Sequence, residues 1–436
     1  MKNLKVFLLR AIYLALACAM FYFTNEDSMT VGGIGVMHQY LFAIVIVGVA
    51  FIVFLVQPDS HRMAVALRYG GVLSTHYLWI ELYSMLIWGL SLSPAIVIRR
   101  GSFFVVYELI GILVAVATVY LFGRESVRIL MVALLTANGI HIVESMIANG
   151  VRAFLREYIE LIVSFTAETG PIMKSFELYA YAYILGFFMF YQVLGEIFDR
   201  RIRKQGVECP SMFKKEWWLF PLSLACFLLG LKRSVLVAVG VGFLVGILLM
   251  HLNIREARTA VRILCVLFVL FGFAYVIGCY YGVMDWVESI GIDTNARARF
   301  FREMRAYYEM GIGYVGKGVG YVSRMMQDTD IGRINSYYVL RDIHNDYLRQ
   351  YIELGFFGFL VWMILFLNLK AEHFFHGLKS ETDKLHGVLA MSFIVANYMT
   401  FLTENTLYYC KLTMIVSLLL MAYHFEDYCN VERENG

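Results

Sequence analysis

What most constrains this chain is the recurrence of apolar runs long enough to cross a bilayer. Windows of roughly 20 apolar residues lie near 5–23, 36–56, 72–98, 103–122, 127–147, 176–196, 217–231, 234–252, 263–283, 350–369, 387–404 and 408–424, about twelve in all. Backbone amides left unpaired in hydrocarbon cost several kcal/mol each, so such runs must close their hydrogen bonds as helices or as a closed barrel. Barrel strands are short and alternate in polarity. These runs are continuous, and the whole chain holds only five prolines. The expectation is an all-α polytopic membrane protein of about twelve transmembrane helices. Composition agrees, because 16% charged residues against 60% hydrophobic ones, with a mean hydropathy of +0.66, cannot cover a soluble surface.

The distribution of charge orients the spans. Basic segments at 199–217 (DRRIRKQGVECPSMFKKEW) and 251–262 (HLNIREARTAVR) should be cytoplasmic, in agreement with Lys2, Lys5 and Arg10 at an inside N-terminus. The same parity puts 370–386 and the C-terminal tail inside. It leaves 24–35, 99–102, 148–175, the turn at Lys232 and Arg233, the long stretch 284–349 and a turn near Glu404 outside. Arg99 and Arg100 run against this rule. Arg10 within the first apolar stretch, without a small-residue cleavage site, argues for a retained first helix. Seven scattered cysteines without a CxxC pair argue against disulfides or a metal site. The net charge of +3 says little about partners, and nothing implies nucleic acid.

No internal repeat or low-complexity linker appears, so the chain reads as one membrane domain. It divides into N-terminal helices (1–216), a core with the external loop 284–349 between the ninth and tenth helices (217–370), and C-terminal helices with a cytoplasmic tail (371–436). Within the loop, TNARARFFREMRAYYEMG (294–311) reads as an amphipathic helix for the bilayer surface, capped by Thr294 or Asn295 and ended by Gly311. The following GIGYVGKG (311–318) nearly spells a phosphate-binding loop. It has Gly318 where Ser or Thr is needed and no preceding strand, so a nucleotide site is rejected. Gly316, Gly318 and Gly320 instead suit positive φ angles or close backbone approach.

Chemistry concentrates at HNDYLRQYIELGFFG (344–358), where polar residues stand at the mouth of a spanning helix. His344 is the candidate general base, since an imidazole titrates near neutrality and can take a proton from a hydroxyl. Asn345 and Asp346 can cap the helix, and Asp346 can orient the ring. Glu353, two to three turns deeper, must be paired, with an arginine such as Arg233 or with a neighbouring helix. Gly355 and Gly358 suit close helix packing. Arg233 in GLKRSV and Arg297 in the loop helix could face one cavity, where guanidinium forks bind phosphate oxygens without a metal. Arg233 also reads as a snorkelling interfacial residue, and Arg299, Arg302 and Arg305 compete with Arg297. Glu404, with Asn405 in TENTLYY, could border the same cavity.

KRSVLVAVGVGFL, the arginine-bearing segment leading into GKGVGY, and HNDYLRQYIELGFFG together resemble the O-antigen ligase and O-antigen polymerase superfamily over roughly residues 217–370. That resemblance implies a bacterial inner-membrane glycosyltransferase of GT-C type with twelve helices and no cofactor or metal. It further implies a lipid-linked oligosaccharide substrate carried on undecaprenyl pyrophosphate, and a pathway shared with a flippase and a chain-length regulator. His344 would activate the acceptor hydroxyl, and Arg233 with Arg297 or Arg299 would hold the donor pyrophosphate. Asn345, Asp346, Glu353 and Glu404 would support them. The chain carries several arginines where one is usual, and it lacks a proline before the glycine turn. Its divergence and its wealth of Phe and Tyr favour a polymerase over a ligase. A transporter of lipid-linked sugar would instead show internal repeats and interrupted helices.

Overall fold

The computed structural model describes residues 2–23, 28–31, 34–89, 109–164, 184–187, 189–194, 196–197, 200, 218–230, 233–291, 294, 297–329, 331, 343–375 and 381–435. They form a helical bundle with one short antiparallel hairpin, β1 (Ser28–Val31) and β2 (Ile34–Met37). The N-terminal helices are α1 (Lys2–Tyr22), α2 (His38–Val56), α3 (Ser60–Gly89), α4 (Leu109–Phe122), α5 (Glu125–Asn149) and α6 (Val151–Ser164). Then come an apolar stretch at Ile184–Leu194, α7 (Leu219–Gly230), α8 (Arg233–His251) and α9 (Ile254–Tyr281). Three short helices follow: α10 (Val283–Ser289), α11 (Arg297–Met304) and α12 (Tyr321–Asp328). The chain closes with α13 (Asp346–Phe375), α14 (Glu381–Thr400) and α15 (Cys410–Asn435).

Among the described residues, five helices are long and apolar enough to cross a membrane: α2, α5, the Ser234–His251 part of α8, α9 and α13. Shorter apolar helices accompany them at Val6–Tyr22, Leu109–Phe122, Ile184–Leu194 and Cys410–Ala422. The chain is a multi-pass membrane protein. Exposed Ile44, Phe51 and Leu55 on α2, and Ile263, Val266 and Leu270 on α9, form the apolar outer faces that lipid covers. By contrast α14 is buried almost all round and forms the axis of the core against α8. Buried Lys384 on α14 donates from Nζ to the carbonyls of Met250 (3.3 Å) and Leu252, so a cation closes the C-terminal end of α8. Buried Lys411 does the same for α1 through Phe21 O at 3.0 Å.

Several boundaries differ from the sequence reading. α3 starts at Ser60 rather than near residue 72, because Asp59 Oδ1 accepts from Arg62 N (2.9 Å) and caps a turn that hydropathy does not register. α6 is an unanticipated amphipathic helix in the segment expected to be an external loop. α11 occupies only 297–304, and a 3₁₀ turn at Arg305–Tyr307 ends it before Gly311. Arg99, Arg100, Lys232, most of the basic segment 199–217, and 332–342 lie outside the described residues.

The glycine segment has a definite job. α13 is broken at Gly355 (φ 69°, ψ −172°), a conformation essentially reserved for glycine. The break orphans helix carbonyls and an amide, and the segment 314–318 replaces their partners. Lys317 N donates to Glu353 O (3.1 Å), Gly318 N to Glu353 O (2.8 Å), and Phe356 N to Tyr314 O (2.8 Å). Gly316 (φ 89°) lies so close to α13 that a Cβ would fall 2.5 Å from Glu353 O, and at Gly318 (φ 83°) it would overlap the Trp88 ring. Amides bound in this way cannot cradle a phosphate, in keeping with rejection of a nucleotide site. Gly358 lets Tyr83 approach α13, whereas Gly355 serves the break rather than helix packing. Gly355→Ala is therefore expected to cost about 1–3 kcal/mol from backbone strain alone, with the overlap on Tyr314 and Val315 adding to it. Thermal unfolding in detergent should show a drop of several degrees.

Candidate functional site

The turn 401–409, between α14 and α15, is buried at Phe401, Glu404, Asn405, Thr406 and Leu407. Irregular backbone inside a membrane bundle needs internal partners, and the first turns of α13 supply them. Asp346 N donates to Phe401 O (2.9 Å), and Asp346 Oδ2 accepts from Leu407 N (2.9 Å). Gln350 Nε2 donates to Tyr408 Oη, and the Arg349 guanidinium lies 3.9 Å from the centre of the Tyr408 ring. Asn345 caps α13 by accepting from Leu348 N (3.0 Å) while its amide donates to Tyr275 Oη (3.0 Å). Tyr275 in turn donates to Leu402 O (2.8 Å).

Four elements converge on this turn. Glu404 Oε2 stands 3.6 Å from His344 Nδ1, and Glu404 Oε1 accepts from Ser234 Oγ on α8 (3.2 Å). Arg297 Nη2 on α11 donates to the neighbouring Thr403 O (2.9 Å). The Glu404 side chain is 8% exposed and that of His344 36% exposed, so the ring is half open at the rim while its carboxylate partner is covered. With Nδ1 turned to Glu404, Nε2 is the ring atom left to meet a substrate. The separation of 3.6 Å is an ion-pair distance rather than a hydrogen bond, a looseness common before substrate closes a site. His344 also has a positive φ of 46°, the one non-glycine residue to do so among those described. Such strain costs of order 1–3 kcal/mol and persists where surroundings impose it.

Arg233 opens α8, one residue before Ser234, and its side chain lies outside the described residues. Arg299 pairs with Glu303 on its own helix (3.8 Å), and Arg302 and Arg305 are held by Asp285 on α10. Arg297 is the loop arginine seen to donate to the 403–404 turn among the described residues. Asp346 faces that turn, and the ring of His344 has Glu404 as its carboxylate. Glu353 is completely buried, accepts from Val322 N at the start of α12 (3.1 Å), and pairs with Arg349 (3.5 Å). Ser234, Thr403 and Tyr275 escaped sequence reasoning. A serine after an arginine, a threonine in a turn and a tyrosine in an apolar helix carry no local signal.

This arrangement can take a proton from a hydroxyl at Nε2 of His344, stabilise the resulting imidazolium through Glu404, and meet an anion from the arginine side. Fold and site together define a multi-pass membrane protein whose polar centre lies at one end of the bundle, between the loop helices and a buried turn. A family model described as O-antigen ligase matches residues 218–363. Over those residues, from α7 into α13, the chain is similar to that family, and the match supports the resemblance to the O-antigen ligase and polymerase superfamily. No curated protein matches the chain.

Two expectations follow. His344→Gly removes the backbone strain with the ring, so its melting temperature should equal or exceed that of His344→Ala. A fall well below His344→Ala in a detergent thermal scan would mean that the strain reading is wrong. The Arg302 hydrogen bond, with Arg305 beside it, holds the Asp285 carboxyl below its usual range. A carboxyl so depressed contributes stability in full above its unfolded value near 4 and loses it as pH falls through the lower folded value. The protection of amides in 297–305, taken relative to their intrinsic exchange rates at each pH, should therefore hold at pH 5 and fall below about pH 4; in Asp285→Asn it should be low at both.

Proposed function

We propose that this protein is a membrane glycosyltransferase that polymerises lipid-linked oligosaccharide repeat units into O-antigen or a related surface polysaccharide. The observation that carries the proposal is the His344–Glu404 pair, met from α8 by Ser234 and flanked from α11 by Arg297 on Thr403 O. The acceptor hydroxyl attacks the anomeric carbon of the donor sugar while its proton passes to Nε2 of His344. The bond from that carbon to the pyrophosphate oxygen breaks, and undecaprenyl pyrophosphate leaves. Attack opposite the leaving group inverts the anomeric centre. Arg297 and Arg233 neutralise the charge that grows on the pyrophosphate, with Arg299 as the further candidate, so His344 and the arginines supply base and electrophile without a metal. Glu404 steadies the imidazolium, while Asn345, Asp346 and Glu353 hold the backbone that carries His344.

This reading includes a GT-C-type bundle of twelve spans in a bacterial inner membrane, both termini cytoplasmic and the site on the periplasmic face. There it works beside a flippase and a chain-length regulator. An O-antigen ligase, which moves finished glycan to lipid A-core, would use the same groups with a different acceptor. The description of the matching family favours that second reading.

Gel profiling of surface glycan in a deletion strain separates the two. The polymerase reading expects lipid A-core bearing one repeat unit, whereas bare core with accumulated long lipid-linked glycan would identify a ligase. Complementation with His344→Ala or Glu404→Gln should fail in either case at normal protein abundance, with His344→Ala costing at least about 10²-fold in transfer. Normal glycan from His344→Ala would remove the proposed base.

A further inference from the structure

Behind the 401–409 turn, α3, α13, α14 and α15 surround a cavity of about 20 Å³ that the glycosyl-transfer site does not use. One water needs roughly 10–15 Å³, so the space suits a single small ion or water. Lys370 is the wall residue that asks for an explanation. Hydropathy leaves it in a cytoplasmic loop, yet α13 runs on to Phe375 and Lys370 is only 4% exposed. A lysine near the end of a spanning helix ordinarily snorkels to the interface. Here Nζ lies 4.0 Å from the centre of the Phe366 ring, and no carboxylate pairs with it among the described residues. A π-turn at Leu365–Leu369 stands directly before it, a local change of helix register that recurs at functional sites.

The rest of the wall contains no acid. Ser417 on α15 is buried, and its hydroxyl has no hydrogen-bond partner among the described residues. Two other hydroxyls are already engaged: Thr413 Oγ1 with Tyr77 Oη at 3.1 Å, and Thr406 Oγ1 with Thr400 Oγ1 at 2.8 Å. His76 closes the α3 side, edge-on to the same Phe366 ring that Lys370 covers. The cavity thus presents an ammonium and a hydroxyl, both donors, from two helices, with nothing of opposite charge to meet them.

We infer that this cavity binds one small monovalent anion, with chloride the abundant example, held by Lys370 and Ser417. A buried ammonium is costly unless an opposite charge meets it, and the Phe366 ring face offsets only part of that cost. Water can accept from Nζ but leaves the charge in place, whereas a halide accepts from both donors and neutralises it. A volume near that of one water favours a monatomic ion over phosphate or sulfate. Bound there, the anion links α13 to α15 next to Leu407, whose carbonyl accepts from Tyr77 Oη (3.0 Å). Its occupancy therefore stabilises the packing behind the turn.

The test uses the full-length protein in detergent at constant ionic strength, with chloride exchanged for gluconate, which is too large for the cavity. Radioactive chloride should bind to saturation at one ion per chain, and the melting temperature should rise over the same concentration range. Lys370→Met should abolish both the binding and the chloride dependence of melting. Ser417→Ala should weaken binding by at least about tenfold, the loss expected of one hydrogen bond to a charged group. This smaller change keeps the inference falsifiable where Lys370→Met does not fold. A wild type that binds no chloride and melts alike in both salts overturns the inference in favour of a neutral lysine with water. Chloride binding that is unchanged in the folded variants overturns the site. None of these outcomes depends on glycosyl transfer.

Discussion

The structure depends on how two lengths of non-helical backbone survive inside a bundle that faces lipid. Segments 314–318 and 401–409 both press backbone against α13, the first at buried Tyr314, Gly316 and Gly318 and the second at buried 404–407, and α13 satisfies the polar groups turned to it. Its break at Gly355 offers carbonyls and an amide to the first, and the side chains of Asp346, Gln350 and Arg349 grip the second. An uninterrupted α13 would spend those backbone groups on itself. The irregular segments would then be left with unpaired polar groups, each costing roughly 1–3 kcal/mol when buried.

The polar density at the start of α13 therefore has two purposes. Asn345, Asp346, Arg349, Gln350 and Glu353 are all buried and turned to backbone and side chains of adjoining segments or to one another, so they act chiefly as fasteners. His344 stands at the edge of this set, strained in backbone and open in side chain. Its carboxylate comes from Glu404, sixty residues further along the chain and beyond the matched family region that ends at residue 363. The site is thus assembled by the same fasteners that anchor the 401–409 turn, which links its geometry to the stability of that turn.

Division of labour between the two ends of the bundle follows from charge. At the α13 mouth, arginines are tied into a loop subdomain: Arg302 and Arg305 by Asp285, Arg299 by Glu303, and Arg297 by the Thr403 carbonyl. At the far end, Arg10, Arg62 and Arg124 border a cavity with Glu125, which pairs with Arg10, and with apolar Val6, Leu9, Leu121 and Phe122.

The sequence by itself determined the helical membrane architecture, because hydrocarbon tolerates only self-satisfied backbone and the apolar runs have a spanning helix's length. It also exposed His344, Arg297 and Glu404, since charge is costly near such runs and therefore stands out. Hydropathy could not register α6 or the early start of α3, whose polar residues face outward or cap a turn. It could not say which loop arginine reaches the centre, since Arg297, Arg299, Arg302 and Arg305 share one helical stretch and differ only in the neighbours they meet. Nor could it assign Glu404 to His344, Glu353 to Arg349, or Ser234 to Glu404. Those pairings are made between distant segments by packing, and only the tertiary structure decides them.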